Sequence, residues 1–316
     1  MGNFFRTLEG VFMISVRWSR EEIAGWSSLR KTAYLLLPLL FYFLVHDGAE
    51  ILLWAGLDGV MKSGSSSLVS FLTDNAYTVK GVINGLAILA GVAVIWRAIY
   101  REIREGAGGD SLEVGRSLVK TEKNTQADGA VLKRGGMEAV ATRYMVLGAL
   151  AFLTALGLNL LFALLGLTES SQAYARTARA QYGVDFVAGL FLYGILSPAA
   201  EEAVFRGLIY NRMKRCFGYF IALVVSSLFF GCYHGNMVQA LYGTILGLLI
   251  AWAYEKYGSF AAPVLFHGVA NVSIYAMTYY NSLGAMSREV SIAVVLASLA
   301  GAAVCLRYIG RKAADW

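Results

Sequence analysis

The sequence predicts an all-α fold, a multi-spanning membrane helix bundle of about eight transmembrane helices. Three observations predict it. The 316 residues are 57% hydrophobic and only 15% charged, against about 45–50% and about 25% in soluble domains. Mean hydropathy is +0.57. The apolar residues also fall into windows long enough to cross a hydrocarbon core, which takes about 20 residues of helix, and these windows lack the strict alternation of a barrel strand.

In chain order the windows are 32–57, 79–98, 144–167, 184–200, 217–234, 238–256, 260–280 and 288–309. The first is interrupted by His46, Asp47 and Glu50, which read as a loop or kink near the outer surface. Asp185 is the other intramembrane charge that a transporter reading would have to use. The fourth window is short and runs into Ser197-Pro198 and then Glu201-Glu202. Ahead of the first, residues 1–30 show no cleavable leader; their Phe4, Phe5, Val11, Phe12, Ile14 and Trp18 suit either an interfacial helix or an unstructured tail. The domain division that follows is 1–30, a helix pair 31–98, a polar cytoplasmic loop 99–143, and a six-helix block 144–316.

Charge placement fixes the expected orientation. With eight passes and a cytoplasmic N-terminus, 22 of the 27 Lys and Arg residues fall on the inner side, as the positive-inside rule requires. Both termini are therefore expected in the cytoplasm of an integral, cell-membrane protein. The net charge of +6 then reflects topology, and no nucleic-acid partner is expected. Cys216, Cys232 and Cys305 are odd in number and widely spaced, which excludes a disulfide framework and a CxxC motif. No internal repeat supports an inverted-repeat transporter.

Polar residues at membrane depth are costly and mark function by default. Three segments carry them. In the first, Pro198 suits a helix start, and Glu202 and Arg206 are spaced for an ion pair. Glu201 lies about 100° away around the helix, so Arg206 cannot serve both carboxylates equally. That leaves Glu202 locked to Arg206 and Glu201 free, or else a capping pair at the membrane surface. In the second, Phe230 and His234 share a helix face. In the third, His267 and Asn271 share one, either as donors to a developing oxyanion or as polar glue between helices.

Depth arithmetic links the first two segments. Glu201 lies 16 residues before Phe217 and His234 17 residues after it, so antiparallel helices put both about 24–26 Å from the turn. A straight helix from 184 to 215 would span about 48 Å, longer than a ~30 Å core, so a break is expected at Pro198. His267 lies nearer its own turn and matches this level less well unless the helices tilt.

Glu201-Glu202-x-x-x-Arg206, Phe230-x-x-x-His234 and His267-x-x-x-Asn271, in that order, resemble the type II CAAX endopeptidases, the CPBP or Abi family of intramembrane proteases. The likeness covers about 184–280. It implies an eight-helix bundle with a polar intramembrane cavity. It also implies peptide hydrolysis in which Glu201 activates water with His234 as partner, Glu202 and Arg206 hold the site, and His267 and Asn271 form the oxyanion hole. The expected partners are a peptide or membrane-protein substrate and the lipid bilayer. No cofactor is expected, with zinc held by Glu201, His234 and His267 as the alternative chemistry. The competing function is a non-catalytic membrane scaffold or bacteriocin self-immunity protein.

Overall fold

The computed structural model describes Trp18 and residues 20–106 and 129–312; side chains at 20, 129–138 and 312 are left aside. Those residues are helical throughout, with no strand among them. The order is α1 (Arg20–Ala24), α2 (Ser28–Ser63), α3 (Ser66–Asp74), α4 (Ala76–Glu105), α5 (Gly129–Leu164), α6 (Leu167–Ser170), α7 (Gln172–Tyr182), α8 (Phe186–Phe217), α9 (Tyr219–Tyr233), α10 (Met237–Tyr257), α11 (Ala261–Tyr279) and α12 (Arg288–Lys312).

Each apolar window becomes one long helix. Six of these are long and apolar enough to cross a bilayer: α2, α4, α5, α8, α10 and α12. The other two, α9 and α11, carry the histidine motifs. α9 is apolar but short, with 15 residues. The expected eight is therefore an approximate count, and the protein is an integral membrane protein.

Several boundaries differ from the sequence reading. α4 runs on to Glu105 and α5 begins at Gly129, so the expected loop 99–143 is helical at both ends; residues 107–128 lie outside the described residues. The expected tail or interfacial segment also lies outside them, except that Trp18 packs edge-on against Trp26. His46, Asp47 and Glu50 sit in the middle of uninterrupted α2, not in a loop or kink. There His46 Nδ1 pairs with Asp47 at 2.8 Å and stacks on Tyr42. Asp185 caps α8, accepting from the backbone N–H groups of Val187 and Ala188. That is an ordinary N-cap, so Asp185 marks no ion path.

The expected break at Pro198 is absent. α8 is a continuous 32-residue helix that contains two π-helical stretches, Leu192–Leu196 and Ala203–Tyr210. The first π turn is what accommodates the proline. The Ser197 N–H reaches back five residues to the Leu192 carbonyl, and Pro198 has no N–H to give. The helix runs on without interruption, and the cost appears as a Tyr193 carbonyl without a helical partner.

Two apolar clusters hold the bundle. One joins α5, α10, α11 and α12 around Leu147, Ile250 and Phe266. The other joins α2, α4, α8, α9 and α10 around Ile99, Leu208 and Tyr254. The α8–α9 turn needs Gly218, whose φ of 86° is open to glycine at little cost. α9 and α10 form a close hairpin because Gly231 faces α10 backbone: a Cβ there would fall 2.3 Å from the Ala240 carbonyl.

Candidate active site

α8, α9 and α11 bring their polar residues together at mid-depth. Glu202 and Arg206 are fully buried. Arg206 Nη1 donates to Glu202 Oε1 at 2.9 Å, and Nη2 donates to the Gly247 carbonyl at 3.0 Å. The second bond depends on the bare α-carbon at 247, since a Cβ there would stand 3.2 Å from Arg206 Nη2. The guanidinium also lies 4.5 Å from the Phe230 ring centroid, a cation–π contact. The i,i+4 ion pair expected from spacing is therefore present.

His267 meets this pair directly. Its Nδ1 lies 2.8 Å from Glu202 Oε1 and its Nε2 3.9 Å from Glu201 Oε2. The depth mismatch expected for His267 does not occur.

Glu201 faces the other way. Its Oε1 accepts from Ser197 Oγ at 2.5 Å. Its Oε2 is buried with no hydrogen-bond partner, and the residue lines a cavity of about 450 Å³. Ser197, Tyr193, His234, His267 and Asn271 share that wall, whereas Glu202 and Arg206 lie behind it. The two adjacent carboxylates thus have the separate environments that the helix geometry predicts.

His234 is level with Glu201 on the same cavity, but its recorded partner is the Phe230 carbonyl, 2.9 Å from Nδ1. Phe230 stands edge-on between the histidines, its centroid 5.1 Å from the His234 ring and 5.4 Å from the His267 ring. Asn271 Nδ2 donates to the Tyr193 carbonyl at 3.0 Å, the acceptor left over by Pro198 and the π turn. One of its two amide hydrogens is thereby spent on holding α11 to α8.

Acceptor chemistry sets the tautomers. A backbone carbonyl and an ion-paired carboxylate only accept, so Nδ1 must carry the proton in both histidines. In its neutral form each ring would present an Nε2 lone pair, and His267 can donate to an oxyanion only with a proton on Nε2 as well. Among the described residues no group of three His, Cys, Asp or Glu side chains is placed to hold a metal ion, so the Glu201–His234–His267 trio does not fit a zinc site and no step is routed through a metal.

Sequence reasoning gave no role to Ser197, Tyr193, Phe230 or Gly247. Ser197 was within reach of the same i,i+4 argument that paired Glu202 with Arg206. The Gly247 carbonyl lies 41 residues from Arg206, and no local pattern points to it.

Comparison with known proteins agrees with the motif reading over this part of the chain. Residues 183–273 match the family model described as type II CAAX prenyl endopeptidase Rce1-like, and all six expected site residues lie inside that stretch. The chain is 26% identical over 88 residues to "Putative membrane peptidase YdiL" of Bacillus subtilis (strain 168), a match covering 28% of this chain and 36% of that protein. No solved structure matches.

Proposed function

We propose that this chain is an intramembrane endopeptidase that hydrolyses peptide bonds of membrane-associated or CAAX-like substrates with water activated at Glu201. The observation that carries the proposal is that Glu201, the one carboxylate among the residues lining the cavity, keeps its Oε2 without a hydrogen-bond partner at mid-helix depth. An unpaired carboxylate oxygen kept out of water is costly, and one facing a cavity is placed to bind a water and take its proton.

The steps follow from the neighbours. Glu201 Oε2 takes a proton from water as the water oxygen bonds to the substrate carbonyl carbon. The negative charge moves to the carbonyl oxygen, where the second Nδ2–H of Asn271 is the available neutral donor, joined by His267 once Nε2 is protonated. The C–N bond then breaks, and the proton held by Glu201 passes to the leaving amine. Glu202 does not touch the reacting atoms. With Arg206 it fixes the His267 ring with Nε2 toward Glu201, and Ser197 holds Glu201 by its other oxygen. Of the two histidines, the geometry favours His267 over His234 as the partner of Glu201. His234 stands across the cavity with its Nε2 lone pair available to the substrate amide.

The test is a proteomic comparison of membranes carrying the wild-type chain with membranes carrying Glu201→Gln. Fragments that accumulate only with the wild type support the proposal. Identical fragment sets would favour the scaffold or immunity reading, which has no use for an ionisable Glu201.

A further inference from the structure

We propose that the site is loaded from the end of the bundle opposite the basic residues, the extracytoplasmic end, and that its occupant is an uncharged, extended stretch of polypeptide. The proposal rests on the endopeptidase reading for the nature of the occupant, but the route of access is independent of it.

The direction comes from where the cavity wall lies along each helix. The wall takes Asn84 from the first half of α4, Asn159 from the last turns of α5, Tyr193 from the start of α8 and Tyr275 from the end of α11. All of these are on one side of Glu201, the side where α5 is joined to α8 through α6 and α7. In the other direction Phe230, Leu246 and Ile250 floor the cavity, above the buried pair of Glu202 and Arg206. The opposite end of the bundle carries Arg104, Lys214, Arg215, Lys256 and Arg311 in the last turns of α4, α8, α10 and α12, and Arg143 in the first half of α5. Such an excess of Lys and Arg marks the cytoplasmic side, which places the cavity mouth outside.

α7 is built to cover that mouth. Tyr174, Thr177, Ala178 and Gln181 recur at i, i+3, i+4 and i+7, so they share one face, and all four line the cavity. Arg176 and Arg179 fall on the other face and are exposed. Burial raises the phenols of Tyr174 and Tyr182, the latter to about 12, so both stay neutral across the physiological range.

The chemistry of the wall selects the occupant. Among the described residues no Lys or Arg lines the cavity, and Glu201 is its one carboxylate. Beyond Glu201 and the imidazoles of His234 and His267, the polar groups are amides and hydroxyls, among them Asn84, Asn159, Thr168, Thr177, Gln181 and Gln239. Such groups pair with main-chain N–H and C=O and carry no charge to neutralise a charged side chain. About 450 Å³ lies near the lower end of ligand-site volumes and is less than the roughly 500 Å³ filled by one turn of a helix about 10–12 Å across. A segment must therefore enter unwound.

The experiment uses the full chain with Cys216, Cys232 and Cys305 replaced by Ser and one new cysteine, Gln181→Cys or, as the basic-end control, Arg104→Cys. A membrane-impermeant maleimide added to intact cells is expected to label Gln181→Cys, and to label Arg104→Cys only after permeabilisation. Labelling of Gln181→Cys only after permeabilisation overturns the access route, whatever the enzymatic activity. In purified protein also carrying Glu201→Gln, a synthetic peptide of Ala, Leu, Ser and Tyr is expected to slow Gln181→Cys labelling at least tenfold. The same peptide with a central Lys or Asp should not. Equal protection by all three, or protection by none, overturns the neutral-segment assignment. Labelling from outside in a chain whose wild type cleaves nothing would remove the endopeptidase reading and leave the access route standing.

Discussion

Helix α8 carries two buried charged clusters a few turns apart, and they differ in one respect. Toward its C-terminal end, Arg212 and Glu102 are both fully buried and paired with each other. Arg212 Nε donates to Glu102 Oε1 at 3.0 Å and Nη1 to the Tyr34 carbonyl at 2.5 Å. The Tyr34 hydroxyl donates to the same carboxylate, and Arg215 pairs with Glu102 Oε2. Asn211 closes the cluster by donating to the Glu102 and Gly207 carbonyls. No member of this cluster lines the cavity. In the cluster at Ser197–Arg206, Glu202 pairs with Arg206 and His267 and does not line the cavity. Glu201 does line it, and its Oε2 has no hydrogen-bond partner. Buried charge by itself therefore does not mark function in this bundle. The C-terminal cluster ties α2, α4 and α8 together, and the working group is the one whose residue lies on the cavity.

The comparison can be broken at either cluster. The largest effect on stability is expected from Arg212→Ala, which takes from the buried Glu102 its one fully buried cationic partner and leaves it to Arg215 and Arg101, at about 3 kcal/mol. Thermal unfolding in detergent should show it as a clear fall in Tm; an unchanged Tm would mean that the cluster is not a structural tie. Next is Glu202→Gln, which weakens charge-assisted bonds to Arg206 and His267 by about 1.5–3 kcal/mol. It is expected to lower both Tm and turnover, because the His267 ring loses its orientation; lowered Tm with intact turnover would separate His267 from the chemistry. Asn271→Ala should cost about 1–3 kcal/mol by leaving the Tyr193 carbonyl unsatisfied, and should lower kcat more than it raises KM. The smallest effect is expected from Ser197→Ala, about 1 kcal/mol or less in stability and under tenfold in turnover, measured on the same membrane substrate.

The two clusters were unequally legible in the sequence. The polar residues around Glu201 stand out because they interrupt apolar windows at helical spacings, and i,i+4 reasoning alone paired Glu202 with Arg206 correctly. The Arg212–Glu102 pair spans 110 residues and sits where basic residues at a helix end look like ordinary cytoplasmic flanks, so no pattern exposes it. Hydropathy placed all eight long helices, but α7 is too polar and short for a span search to find. The expected break at Pro198 assumed α-helical geometry in α8. The π turn before the proline keeps the helix continuous and frees the carbonyl that Asn271 uses. Hydrophobic periodicity is too coarse to register one extra residue in a turn.

The central claim is that Glu201, and not its neighbour Glu202, is the carboxylate that handles the proton of water. Purified Glu201→Gln, reconstituted into liposomes with a substrate found in the membrane comparison, tests this most directly when its Tm and turnover are read on the same sample. The account predicts a Tm close to that of the wild type, because the amide can still accept from Ser197. It predicts turnover lower by about 10²–10⁴-fold, the usual worth of a positioned general base. Turnover within tenfold of the wild type, with the fold intact, would contradict it.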